Sequence, residues 1–258
     1  MPGPKLNISA IPAYDDNYIW LLETGGKVCA VVDPGDEDPV IETLEKRGLE
    51  LRYILLTHHH PDHTGGVLEL VERYQATVFG PEDDRIPFVD QVCGEGDEVD
   101  LPGLNVKFRV LEVPAHTRSH IAFYGEDSLF SGDTLFSQGC GRLFEGTASE
   151  MQNSLDKLAA LPADTWNYCA HEYTMANCAF ALQVEPGNPD LQARSIEVGK
   201  LRAEGKITLP TTLADELATN PFLRTREAPV IDAARKFDPQ ATAGISTMAT
   251  IRAWKDRF

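Results

Sequence analysis

Seven histidines occur in the 258 residues, and four of them, His58, His59, His60 and His63, crowd into the stretch ILLTHHHPDHTGG beside Asp62. In extended chain, residues two apart point the same way, so His58 and His60 share a face that His59 does not. Pro61 then turns the chain and lets Asp62 and His63 address a second position nearby. That spacing predicts two metal positions. Neutral imidazoles with carboxylates suit zinc, iron or manganese, and a cluster without cysteine argues against a closed structural zinc site. The expected centre is open and catalytic, and hydrolysis by metal-activated water is the leading chemistry.

Such a cluster needs elements that bring further ligands to it. Three strand-like runs end on a histidine: YILLT before His58, FRVLEVPA before His116, and TWNYCA before His171. A fourth, DSLFSG, ends on Asp133. Apolar strands that each finish on an imidazole or carboxylate can gather those groups along one edge of a pair of sheets, where loops carry function. His59 and His120 are read as supporting residues, hydrogen-bonded in place.

Residues 1–172 hold the β-rich runs, interleaved with two helix-like patterns, DPVIETLEKRG and TGGVLELVERYQ, whose apolar residues recur at three and four. This alternation implies an α/β catalytic domain: two sheets face to face with helices outside, or a mixed sheet covered by helices. Residues 173–258 read instead as a small all-helical domain, built from TMANCAFALQV, NPDLQARSIEVGKLRAEG, TLADELAT, PVIDAARKF and ISTMATIRAWKDRF. Asn188 as N-cap, Pro189 at the first helical position and Gly205 as stop mark the second of these.

Composition narrows the function further. With 23 Lys+Arg against 40 Asp+Glu the formal net charge is −17, which disfavours nucleic acid, whose binding relies on clustered cations. No apolar run is long enough to span a membrane. The start, MPGPKLNISAIPAYDDNYIWLL, is interrupted by Asp15 and Asp16 where a leader would be apolar, so the expected compartment is the cytoplasm. Five scattered cysteines with no CxxC pair fit neither a disulfide framework nor a zinc ribbon. There is no GxSxG elbow, GxGxxG turn or P-loop.

The run THHHPDH resembles the T-H-x-H-x-D-H signature of the metallo-β-lactamase superfamily, and VPAHTRSH, SGDTLF and CAHEYT follow in matching order. The resemblance implies a four-layer αββα sandwich. The stretches IPAYDDNYIWLL, GCGRLFEGTASEM, HEYT, NPFLR and RAWKDRF are similar to those of glyoxalase II, the hydroxyacylglutathione hydrolases, over essentially the whole chain. By that resemblance His58, His60 and His116 hold one metal, Asp62, His63 and His171 hold the other, and Asp133 bridges them. Asp133, Asp62 and His58 are the residues it marks for the chemistry. Two divalent ions are implied, zinc first and iron or manganese as alternatives.

The same resemblance places the substrate's glutathione part on Arg142, Phe144, Tyr173, Arg252 and Lys255. Two of these depart from the family loop GCGKFYEGT: Arg142 keeps the cation in another shape, and Phe144 lacks a tyrosine hydroxyl. The implied reaction is hydrolysis of S-2-hydroxyacylglutathione, such as S-D-lactoylglutathione, to glutathione and D-lactate, the second step of methylglyoxal detoxification. The expected partner is thus a small-molecule glutathione thioester, met by a monomer without nucleic acid or membrane. The alternatives are a hydrolase of the same fold acting on another thioester or a lactone, and an iron-dependent sulfur dioxygenase-like redox enzyme. His60 and the tail RAWKDRF count against the redox reading.

Overall fold

The computed structural model describes residues 5–258; residues 1–4, the beginning of the N-terminal segment read above for a leader, lie outside the described residues. The chain forms two compact units: residues up to Glu112 with Ser119–Gly132, and Val113–Arg118 with Asp133–Phe258.

The first unit carries a six-stranded sheet of β1 (Asn7–Ala13), β2 (Asn17–Glu23), β3 (Val28–Val32), β4 (Glu50–Leu55), β5 (Thr77–Gly80) and β6 (Gln91–Val92), in that order. Pairing is antiparallel from β1 to β3 and parallel from β3 to β6. Parallel neighbours need crossovers, and helices supply them. α1 (Glu37–Arg47) joins β3 to β4; α2 (Pro61–Thr64) and α3 (Val67–Tyr74) join β4 to β5. Asp36 caps α1 by accepting from the Asp38 amide, and Gly48 closes it in the left-handed conformation. α3 turns Val67 and Leu70 into the core with Val40, Leu44, Ile54 and Val78, where each fully buried aliphatic side chain contributes about 1.5–3 kcal/mol. A second antiparallel ladder follows: β7 (Glu98–Leu101), β8 (Val106–Glu112), β9 (Ile121–Gly125) and β10 (Ser128–Gly132). Along β8, Val106, Phe108 and Val110 are buried while Lys107 and Arg109 are exposed, the alternation of a half-covered strand.

The second unit holds the short strands β11 (Leu135–Phe136), β12 (Gly139–Cys140), β13 (Trp166–Cys169) and β14 (Thr211–Thr212). Its helices are α4 (Ala148–Ala159), α5 (Thr174–Val184), α6 (Pro189–Ala203), α7 (Leu213–Thr219), α8 (Ala228–Ala234) and α9 (Ile245–Lys255). Five match the helical runs expected after His171, and α6 starts on the Asn188 cap, whose side chain accepts from the amides of Asp190 and Leu191. α4 was not anticipated, although its N-terminus carries a complete capping box between Thr147 and Glu150. Phe180 centres the helical packing, 6.0 Å from Phe222 and 5.2 Å from Trp254. Arg224 clasps the buried Glu185 through two bonds of 2.8 and 2.9 Å, and this contact lowers the glutamate's pKa against the opposing pull of burial. Among the described residues no helix is long and apolar enough to cross a membrane.

One close approach fixes where the histidine-rich segment lies. A Cβ on Gly35 would stand 1.9 Å from the Asp62 carbonyl oxygen, so the turn after β3 touches α2 backbone to backbone. The Tyr14 hydroxyl reinforces that turn by donating to the Gly35 carbonyl at 2.6 Å. Gly35→Ala should therefore push α2 away and lower stability by about 1–3 kcal/mol, as overpacking does. Urea unfolding of the variant measures it; an unchanged midpoint would mean that the turn can relax at no cost.

Candidate active site

In the first unit, strand ends place the donors as expected. β4 stops at Leu55, and Leu56 and Thr57 carry the chain to His58. Asp33, one residue beyond β3 and left-handed at φ +52, accepts from the Thr57 amide at 2.8 Å and from the Thr57 hydroxyl at 2.7 Å. That hydroxyl has given up its only proton, so His58 Nδ1, 3.0 Å away, is the donor to it. His63 Nδ1 likewise faces the second Asp33 oxygen at 3.1 Å. One carboxylate thereby sets both tautomers and leaves Nε2 as the lone-pair nitrogen of His58 and His63. Asp33, His58 and His63 offer ligand atoms within 4.8 Å of one another. Because the Asp33 oxygens are already engaged on the Nδ1 side, Asp33 acts here as support for its two histidines.

His60 lies with its ring 4.7 Å from that of His58. Asp62 lies in the first turn of α2, its Oδ2 3.4 Å from His63 Nε2 and receiving the Asn17 amide at 3.0 Å. His59 turns Nδ1 to Asp83 at 3.4 Å, a carboxylate that hydrogen bonds from Arg85 hold well below the usual carboxylate range. His120 stacks on His58 with centroids 4.6 Å apart.

In the second unit, His116 follows β8, Asp133 follows β10, and His171 follows β13. His116 Nδ1 donates to the Arg142 carbonyl at 3.0 Å, again leaving Nε2 for other work. Asp133 sends one oxygen to His116 Nε2 and the other to His171 Nε2, each at 3.3 Å. A carboxylate with one oxygen toward each of two imidazoles has the form of a bridging ligand. Tyr173 lies flat on His171, centroids 4.7 Å apart with an interplanar angle of 4°.

These groups border a cavity of about 750 Å³ within the second unit, whose lining includes His116, Asp133, Tyr173, Arg142, Arg252 and Lys255. Phe144 stands at it, 61% exposed, with its ring 5.2 Å from His116. Arg252 and Lys255, expected as a pair, differ. The buried Arg252 donates to the Cys140 carbonyl at 2.8 Å and to Asp256 at 3.1 Å. The Lys255 side chain makes no hydrogen bond or ion pair among the described residues, and its Nζ lies 5.0 Å above the Phe180 ring. Burial, and then the Arg252 charge, lower the Lys255 pKa to about 8. All five cysteines are buried and free, and burial raises their thiol pKa values, so none is poised as a nucleophile.

Sequence reasoning missed Asp33, Thr57 and Asn17 as parts of the site. Asp33 carried a usable signal: the run KVCAVVD is one more apolar strand ending on a carboxylate.

Comparison with known proteins agrees with this arrangement. The family model described as "Metallo-beta-lactamase superfamily" matches residues 14–171, and "Hydroxyacylglutathione hydrolase C-terminus" matches residues 172–258. A "Hydroxyacylglutathione hydrolase" of Aliivibrio salmonicida (strain LFI1238) is 53% identical over 254 residues, covering 98% of this chain and all of that protein. Among solved structures, ETHE1 from Myxococcus xanthus superposes with a TM-score of 0.65 at 24% identity, covering 97% of each chain. TTHA1623, solved in a di-iron-bound form, gives 0.57 at 26% identity over 84% of this chain and all of that one. The fold is thus the metallo-β-lactamase fold with a C-terminal helical region, as expected, and its His/Asp groups are those of a centre for divalent metals.

The hydrogen bonds separate ligands from their supports in a way metal analysis can read. His58→Ala should lower bound metal and activity together, and His59→Ala should spare the metal. Asp33→Ala should weaken metal affinity by roughly ten- to a hundredfold, the usual cost of losing a carboxylate behind a ligating histidine. Equal metal loss in the His58 and His59 variants would overturn the assignment along this stretch.

Proposed function

The chain belongs to the hydroxyacylglutathione hydrolase family of the metallo-β-lactamase superfamily, and on that premise we propose that it hydrolyses S-2-hydroxyacylglutathione thioesters, such as S-D-lactoylglutathione, to glutathione and a 2-hydroxy acid. The observation that carries this reading is one cavity lined both by the hydrolytic donors His116 and Asp133 and by the cations Arg142, Arg252 and Lys255. A lactone or β-lactam without distant carboxylates has no use for those three cations.

In this reading residues 1–172 form the catalytic domain and 173–258 the substrate-binding one. His58, His60 and His116 hold one metal, Asp62, His63 and His171 the other, and Asp133 is shared. The donor set fits: imidazoles with Nδ1 already tied back and carboxylates without thiolates accept zinc, iron or manganese. Zinc is our first choice, and the di-iron form of TTHA1623 keeps iron in contention. Divalent ions there would acidify a water and draw charge from the thioester carbonyl oxygen. Asp133 orients the attacking water. Water adds to the acyl carbon, the carbon–sulfur bond breaks, and the sulfur leaves as the glutathione thiolate, which needs no strong acid beside it. Lys255 and Arg142 fix the glutathione carboxylates so that the acyl carbon lies at the donors, and Tyr173 and Phe144 flank the chain between. Arg252 contributes its charge while its NH groups hold the protein. We place this activity in the cytoplasm, in a monomer.

Lys255 loses its proton as pH rises through about 8 in the free protein. KM for an anionic glutathione thioester should therefore rise above that pH. Lys255→Ala should raise KM at pH 7 several-fold and abolish this pH dependence, with metal content intact; the diethyl ester of the same thioester should barely respond. Phe144→Tyr should lower KM by an amount matching one hydrogen bond of about 0.5–1.5 kcal/mol. A thiol assay of glutathione release measures all of these. No release from S-D-lactoylglutathione by metal-loaded protein would sink the functional reading.

A further inference from the structure

The motif NPFLR has no part in the chemistry above, yet its Asn220 is fully buried. Its surroundings concern the hairpin of β11 and β12, in which Leu135 pairs with Cys140 and Phe136 with Gly139. A ladder two residues long leaves most of its peptide groups to be satisfied from outside. Side chains of other elements do so one by one. Asn167 donates to the Leu135 carbonyl at 2.9 Å, and Asn177 to that of Ser137 at 2.9 Å. The Asn220 amide donates to the carbonyls of Phe136 at 3.1 Å and Gly139 at 2.9 Å, and Arg252 to that of Cys140. At the tip Gln138, left-handed at φ +54, gives its backbone amide to Glu216 at 2.8 Å.

Glu216 and Asn220 form the centre of this clamp. They stand one helical turn apart on and just after α7, joined by the Asn220 amide at 2.9 Å. The amide's orientation is fixed from both ends, because its oxygen accepts from the Phe222 backbone at 3.0 Å. Asn220 thus touches both arms of the hairpin. Two residues before the hairpin lies Asp133, and two residues after it lies Arg142. The arms meet there as well, since a Cβ on Gly141 would stand 1.9 Å from the Asp133 carbonyl oxygen. The hairpin joins the carboxylate of Asp133 to the cation of Arg142, and Arg142 also supplies the carbonyl that orients His116.

We propose that Asn220, backed by Glu216, is a positioning residue: by clamping both arms of the 135–140 hairpin it sets Asp133 and Arg142 in register, so that a substrate anchored by its carboxylates presents its acyl carbon to the hydrolytic donors. This rests on the thioesterase reading above. A shift of the hairpin moves both ends at once, and a misplacement near 1 Å costs about a hundredfold in rate.

The test is steady-state kinetics of full-length, metal-loaded Asn220→Ala and Asn220→Asp on S-D-lactoylglutathione and on its diethyl ester, with rates expressed per folded molecule from circular dichroism. Asn220→Asp keeps the volume and turns an oxygen onto two carbonyls. The expected result is kcat down roughly ten- to a hundredfold for both substrates, with KM raised only for the anionic one. Asn167→Ala, which removes the bond to the Leu135 carbonyl, should show the same pattern more weakly and covers the case in which neither Asn220 variant folds. Rates that fall only with the folded fraction, with both KM values at wild type, would overturn the positioning role. If the wild-type protein itself released no glutathione, the functional reading would fail first and the inference with it; an active wild type with unaltered variants would remove the inference alone.

Discussion

A histidine ligates through one ring nitrogen, and its other nitrogen must be held, or the ring turns away and the tautomer is wrong. Three of the histidines are held in that way. Asp33 holds His63 directly and His58 through Thr57, while the Arg142 carbonyl holds His116. These holders sit on backbone that is fixed in turn: Asp33 closes β3 in a left-handed conformation, and Arg142 follows the clamped hairpin.

The cavity imposes a second demand, on charge. An acidic protein must admit an anionic substrate, so cations have to stand where they can meet carboxylates without collapsing onto the protein's own. Arg252 and Lys255 divide that task by burial. Arg252 is enclosed and tied to the Cys140 carbonyl and Asp256, which makes it part of the wall. Lys255 has its ammonium over an aromatic ring, no side-chain hydrogen bond or ion pair among the described residues, and a pKa drawn down to about 8.

Much of this was legible in the sequence, for physical reasons. The alternation in HHHPDH separated His58 and His60 from His59, and the apolar runs before His116, Asp133 and His171 located three more donors at strand ends. Capping signals such as Asn188 marked the helices after His171. The holders were harder to read. Asp33 and Asn17 act across distances of 30 and 45 residues, and nothing in their local sequence says which partner they meet. The Asn220 clamp joins segments 81 and 84 residues apart. The divergence of Arg252 from Lys255 was invisible as well, because spacing three apart assigns both to one helix face and burial then treats them differently. α4 was overlooked despite the capping box at Thr147.

The central claim is that two metals held by these histidines and aspartates hydrolyse a glutathione thioester. Its most direct measurement is glutathione release from S-D-lactoylglutathione as chelated protein is reloaded with zinc or iron, followed together with bound metal per chain. The account predicts no turnover without metal and activity that reaches its plateau at about two ions per chain. Full turnover by the metal-free protein, or a plateau with no metal bound at the His58 and Asp133 positions as judged by the corresponding Ala variants, would contradict it.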